Sequence, residues 1–164
     1  MRPTADDTGG HDHCSRRGPN GPQLDELTEI FPGQEIIDRT LINAWHESRV
    51  RDAIRRTGRG KVLIAGTGLD VCAQLAALAS ASDGYDSYVV LDACGRFEPE
   101  PSVATVSRLT QAGVVLVNTR VIVLEMMADN AHPMAAEIYA ALPPGLVVVD
   151  DARGRQPSMG GSER

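Results

Sequence analysis

The segment KVLIAGTGLDVCAQLAALAS, residues 61–80, sets a cysteine just beyond an apolar run and two glycines, Gly66 and Gly68. Three roles suit Cys72: a nucleophile at a helix start, a small buried side chain, or a neighbour of a dinucleotide-binding loop. The last role needs a third glycine for close helix–strand packing, and Cys72 and Ala73 stand where it belongs. Two glycines are a weak signal, even with Asp92 ending the next strand where a ribose-binding acid would sit. An isolated cysteine is commonly a packed hydrophobe. Position favours the nucleophile. Asp70 is placed to cap the helix, which puts Cys72 in its first turn. There the unsatisfied N–H groups and the positive end of the helix dipole favour thiolate over thiol. The same N–H groups can face the oxyanion of a tetrahedral intermediate.

The elements that must position this cysteine follow one repeating pattern: a helical segment, a glycine, then an apolar run. SRVRDAIRRTG leads into KVLIAG, AQLAALASASDG into SYVVLD, PSVATVSRLTQAG into VVLVN, and AAEIYAALPPG into LVVVD. Gly58, Gly84, Gly113 and Gly145 fall where helices take a left-handed terminating residue. The strand runs are apolar throughout, as strands covered on both faces require. Helix–strand alternation of this kind predicts an α/β fold with a mostly parallel sheet and crossover helices. Strands are expected at 61–66, 87–92 and 113–118, adjacent or nearly so, with the chemistry at their carboxyl ends. RVIVLEMMADN reads equally as strand or short helix, and EIIDRTLINAW offers one short extended piece. Residues 1–35 contain no good core strand, so the fold reads as small or as lacking its usual beginning.

Composition narrows the partners. The 164 residues are 42% hydrophobic and 23% charged, with a net charge of −6, which disfavours nucleic acid and anionic membranes. No apolar run approaches a membrane span, and no secretion leader is legible. Three cysteines without framework spacing suit a reducing cytoplasm. Lys61 is the sole lysine and opens a strand, the end of a parallel sheet away from the chemistry. Residues 1–17 read as a flexible arm, 18–151 as the folded domain and 152–164 as a flexible tail. HDHC (11–14) has metal-binding side chains but lies in that arm without a second ligand group, and is expected to be solvated.

The turn around Cys72 resembles that of the isochorismatase-like cysteine hydrolases, whose motif is Gly-x-x-Thr-acid-x-Cys. Gly66, Asp70 and Cys72 match it, while Leu69 replaces the threonine. GPNGP (18–22), INAW (42–45), GYDSYVVLDACG (84–95) and LTQAGVVL (109–116) are similar to an octameric bacterial subgroup of poorly defined substrates. The resemblance implies a three-layer α/β/α fold and hydrolysis of C–N bonds in a small amide through a Cys nucleophile, an Asp base and a Lys or Arg. It implies Cys72 as nucleophile and Arg39 as the basic member. It also implies an oxyanion hole formed by the backbone of Gly68 and Cys72, pointed inward by a cis peptide. No cofactor or metal is implied, and a homo-oligomer is.

The family aspartate ends a first apolar strand, and no such run precedes Gly18. The fold is therefore expected to be N-terminally incomplete and its turnover impaired. The alternative from another class is a catalytically silent homologue or truncated assembly subunit, with a nucleotide-binding module behind it. Asn43 is a candidate to hydrogen-bond the substrate or to fix its loop, Trp45 to cover a pocket or pack in the core. Cys94 is expected to be a packed thiol.

Overall fold

The computed structural model describes residues 11–14 in their backbone, together with residues 24–96 and 103–142. The chain divides into two compact units, residues 1–128 and 129–164.

In the first unit the strands β1 (His11–Cys14) and β2 (Ile36–Arg39) form a parallel pair, with the short helix α1 (Asp25–Ile30) between them. A 3-10 turn at Ala44–His46 and helix α2 (Ser48–Arg56) lead to β3 (Lys61–Gly66). Then come α3 (Gln74–Ser82), β4 (Asp86–Cys94), α4 (Val103–Gln111), β5 (Val115–Val117) and α5 (Thr119–Met127). Strands β3, β4 and β5 form a three-stranded sheet in that order, parallel throughout, as the crossover-length connections demand. The glycines expected to end helices do so at Gly58, Gly84 and Gly113, with φ of 65°, 89° and 79°.

Helices lie on both faces of this sheet. On one face Ile64 and Val89 pack against Ala73, Ala76 and Ala77 at α3 and against Leu109 of α4, with Leu69 joining them. The alanines let α3 approach the strands closely. On the other face Val90 and Val117 meet Ile122 of α5. That cover stops halfway: Leu63, Tyr88 and Val115 stand side by side in register, and Leu63 and Val115 are exposed. Between α3 and β4 the buried hydroxyls of Ser80 and Ser87 hydrogen-bond at 2.5 Å, satisfying each other inside the core.

One expectation needs correction, and one open alternative is decided. Residues 11–14 do not belong to a structureless arm: they form β1 and pair with β2. Such a strand is polar and rests on backbone hydrogen bonds, which leave no apolar period to read. RVIVLEMM is helical and becomes α5, because the Asp92 carboxylate accepts from the backbone N–H of Thr119 at 2.7 Å and from its hydroxyl at 3.0 Å. A carboxylate on a first-turn N–H favours helix over strand. The run LVVVD and the tail 152–164 lie outside the described residues. In the second unit, α6 (Ala135–Ala141) is steadied by the Tyr139 hydroxyl, which donates to Asn130 at 2.7 Å.

Candidate active site

The chain leaves β3 at Gly66 and enters a single π-helical turn, Leu69–Ala73, that runs directly into α3. Cys72 is in this turn, half-buried, at the carboxyl end of a parallel strand and at the start of a helix. Gly68, in extended conformation, is the residue that caps the turn, so Asp70 lies inside it rather than ahead of it. All peptide bonds of the described residues are trans, unlike the cis turn the resemblance implies.

Three contacts hold the turn. The Leu69 side chain is fully buried in the core, which accounts physically for an apolar residue where the family motif has threonine. The Leu69 N–H donates to the Gly95 carbonyl at 2.8 Å, and the Gly95 N–H returns a bond to the Gly66 carbonyl, also at 2.8 Å. The end of β4 thus clamps the turn after β3. Only glycine fits there, since a Cβ on Gly95 would stand 2.4 Å from the Thr67 carbonyl oxygen. The third contact is between side chains: the Thr105 hydroxyl of α4 donates to the Asp70 carboxylate at 2.6 Å.

The other expected site residues gather on the connection after β2. Arg39, buried at the end of that strand, donates through Nη1 to the carbonyls of Leu41 and, at 3.1 Å, Ile42. Asn43 Oδ1 accepts from the Trp45 N–H at 3.0 Å and so caps the 3-10 turn. The Trp45 ring is buried, meets Tyr85 edge-on at 5.2 Å, and its indole N–H donates to Asp83 at 2.7 Å. Asp83 ends α3, while Cys72 precedes its start. At ~1.5 Å of rise per residue that separation is about 16 Å. An open depression of about 400 Å³ lies at this far end, walled by Trp45, His46, Arg51, Ala79, Ser82 and Asp83.

The remaining candidates sort by strand end. Lys61 lies at the amino end of β3 and reaches the Tyr88 hydroxyl at 3.1 Å and the Asp86 carboxylate at 3.6 Å, which together hold its pKa up. It is five residues from Gly66 along an extended strand, on the order of 16 Å away. Cys94 closes β4 and is buried in the core, and burial pushes its thiol pKa up. Cys94 is therefore a packed thiol. Asp92 is turned onto α5, which takes it away from any ribose-binding role. Among the described residues no three His, Cys, Asp or Glu side chains group as a metal site would need, and no helix is long and apolar enough to cross a membrane.

A model of the isochorismatase domain matches residues 1–121. The chain belongs to the isochorismatase family. Within it, the chain is similar to the probable hydrolase YcaC of Escherichia coli K12, at 36% identity over 113 residues, which are 68% of this chain and 54% of the relative. The crystal structure of YcaC from Escherichia coli, described as an octameric hydrolase of unknown specificity, matches with a TM-score of 0.74 at 32% identity, covering 79% of this chain and 65% of that one. YcaC from Pseudomonas aeruginosa, solved with hexane-2,5-diol and covalent acrylamide, matches with a TM-score of 0.66 at 38% identity, covering 69% and 56%. The chain thus spans little more than half the length of its curated YcaC relative.

Sequence reasoning did not find Gly95, Thr105 or Gln74, whose side-chain amide donates to the Asp70 carbonyl at 2.9 Å. Gly95 carried a signal, a glycine directly after a strand at the sheet end where chemistry is expected. Thr105 carried none, being 35 residues from its partner.

Proposed function

We propose that this chain is a hydrolase acting on C–N bonds of small amides, with Cys72 as nucleophile. The observation that carries the reading is the position of Cys72: a half-buried thiol in a tight turn between a parallel strand and a helix, within an isochorismatase domain. The Cys72 thiolate attacks the amide carbonyl, and the backbone N–H groups of Gly68 and Cys72 receive the oxyanion. The amine leaves with a proton taken from solvent, and water then releases the acid from the thioester. Arg39, at the end of β2 with its Nη1 on the Leu41 and Ile42 carbonyls, is the candidate for the basic member. Asp12 lies on the polar strand β1 and not at the end of an apolar run such as carries the family aspartate, so no residue is assigned to deliver that proton and turnover is slow.

Two features support the surroundings of this reading. The exposed Leu63 and Val115, either side of Tyr88, suit burial against another chain, and the Escherichia coli relative is octameric, so a homo-oligomer is proposed. The covalent acrylamide in the Pseudomonas aeruginosa relative suggests a probe, because acrylamide is a small amide whose β-carbon accepts a thiolate. Incubating the protein with acrylamide and mapping the adduct by mass spectrometry tests the nucleophile, while ammonia release from a panel of small amides tests turnover. Modification at Cys72 with slow release, both lost in Cys72→Ala, is the expected result. Ammonia release that survives in Cys72→Ala overturns it.

A further inference from the structure

We propose that Thr105 is a positioning residue for the turn that presents Cys72, acting through Asp70; this rests on the reading of Cys72 as nucleophile. Thr105 lies in the first turn of α4 and is 5% exposed. At so buried a helix position valine would pack as well, and a hydroxyl is tolerated only if it is hydrogen-bonded. Its bond goes to the Asp70 carboxylate at 2.6 Å, in the range of charge-assisted bonds.

Asp70 is also gripped from the other side. Gln74, itself 7% exposed, donates its side-chain amide to the Asp70 carbonyl at 2.9 Å. Two buried polar side chains on different helices therefore converge on the residue two places before Cys72. Backbone bonds hold the turn at its flanks: Leu69 N–H meets Gly95, and the Val71 and Ala73 N–H groups meet Gly68. Between those flanks, Asp70 is where α3 and α4 take hold of the π-helical turn, a geometry that is rare in proteins and frequent at functional sites.

The test is the rate at which iodoacetamide alkylates Cys72 in the full chain at neutral pH, with the buried Cys94 as internal reporter of opening. In Thr105→Val, which keeps the shape and removes the hydroxyl, Cys72 is expected to react about fivefold more slowly, the loss of one such hydrogen bond. Cys94 should stay protected, and Thr105→Ser should restore the rate. Should the valine variant not fold, Thr105→Ala removes the same donor without placing a methyl against the carboxylate. An unchanged Cys72 rate in a folded variant lacking the hydroxyl overturns the proposal. Failure of the nucleophile reading looks different: wild-type Cys72 then reacts no faster than a cysteine in an unstructured peptide, while the ratio between variants still decides the role of Thr105.

Discussion

Two cysteines sit at the carboxyl ends of adjacent parallel strands, and their surroundings set them apart. Beyond β3 the chain turns through a π-helical turn, and Cys72 stays half-buried at the start of α3. Cys94 is itself the last residue of β4, buried among core side chains with its pKa raised. The same residue type at the same sheet end thus becomes a candidate nucleophile in one place and inert packing in the other. What separates them is that Cys72 lies in the turn beyond its strand and Cys94 within its own strand. Gly95 links the two, since its backbone bonds make the end of β4 the clamp for the turn after β3.

The comparison is most easily broken at Leu69. Leu69→Ala empties a fully buried position beneath the turn and is expected to cost about 3 kcal/mol in urea unfolding, the usual figure for a buried leucine. Val71→Ala, in the same turn but exposed, should cost a small fraction of that. Equal losses would show that the turn is not anchored by its buried member.

Gly95→Ala comes next. Its Cβ would meet the Thr67 backbone at 2.4 Å, so the chain must shift. A loss of about 2 kcal/mol is expected by analogy with overpacked cores. Cys72 alkylation should also fall, because the clamp moves the turn. A stability loss with an unchanged Cys72 rate would separate the clamp from the thiol.

The smallest expected effect is on the Cys94 side. Its folded pKa is raised, so the folded state keeps the proton while the unfolded thiol, with an ordinary value of 9.0, loses it. The stabilisation is full below that value and declines as pH rises above it. Unfolding free energy measured from pH 8 to pH 10 should fall less in Cys94→Ala than in wild type. Parallel curves would mean that Cys94 is not held protonated.

The sheet was legible in the sequence because β3, β4 and β5 are continuous β-branched runs set off by glycines, a local signal. What stayed hidden depends on partners far along the chain. HDHC is too polar to announce β1, which exists through pairing with Ile36–Arg39. The helix α5 takes its cap from Asp92, 27 residues earlier. For the candidate site, the placement of Cys72 in a turn between β3 and α3 was legible from spacing. The attachments of that turn to Gly95 and Thr105 were not, since each crosses from one element to another. Asn43 and Trp45 were legible as a motif, yet Asn43 Oδ1 and the indole N–H are engaged within the protein, on Trp45 and Asp83.

The central claim, that the turn after β3 makes Cys72 a nucleophile, is tested most directly by alkylating the native protein with iodoacetamide at pH 7 and following both thiols by mass spectrometry. Cys72 is expected to react at least about tenfold faster than a cysteine in an unstructured peptide, as a half-buried thiol held in a tight turn at a helix start should. Cys94 should remain unmodified until the protein unfolds. Cys72 reacting at or below the peptide rate would contradict the account.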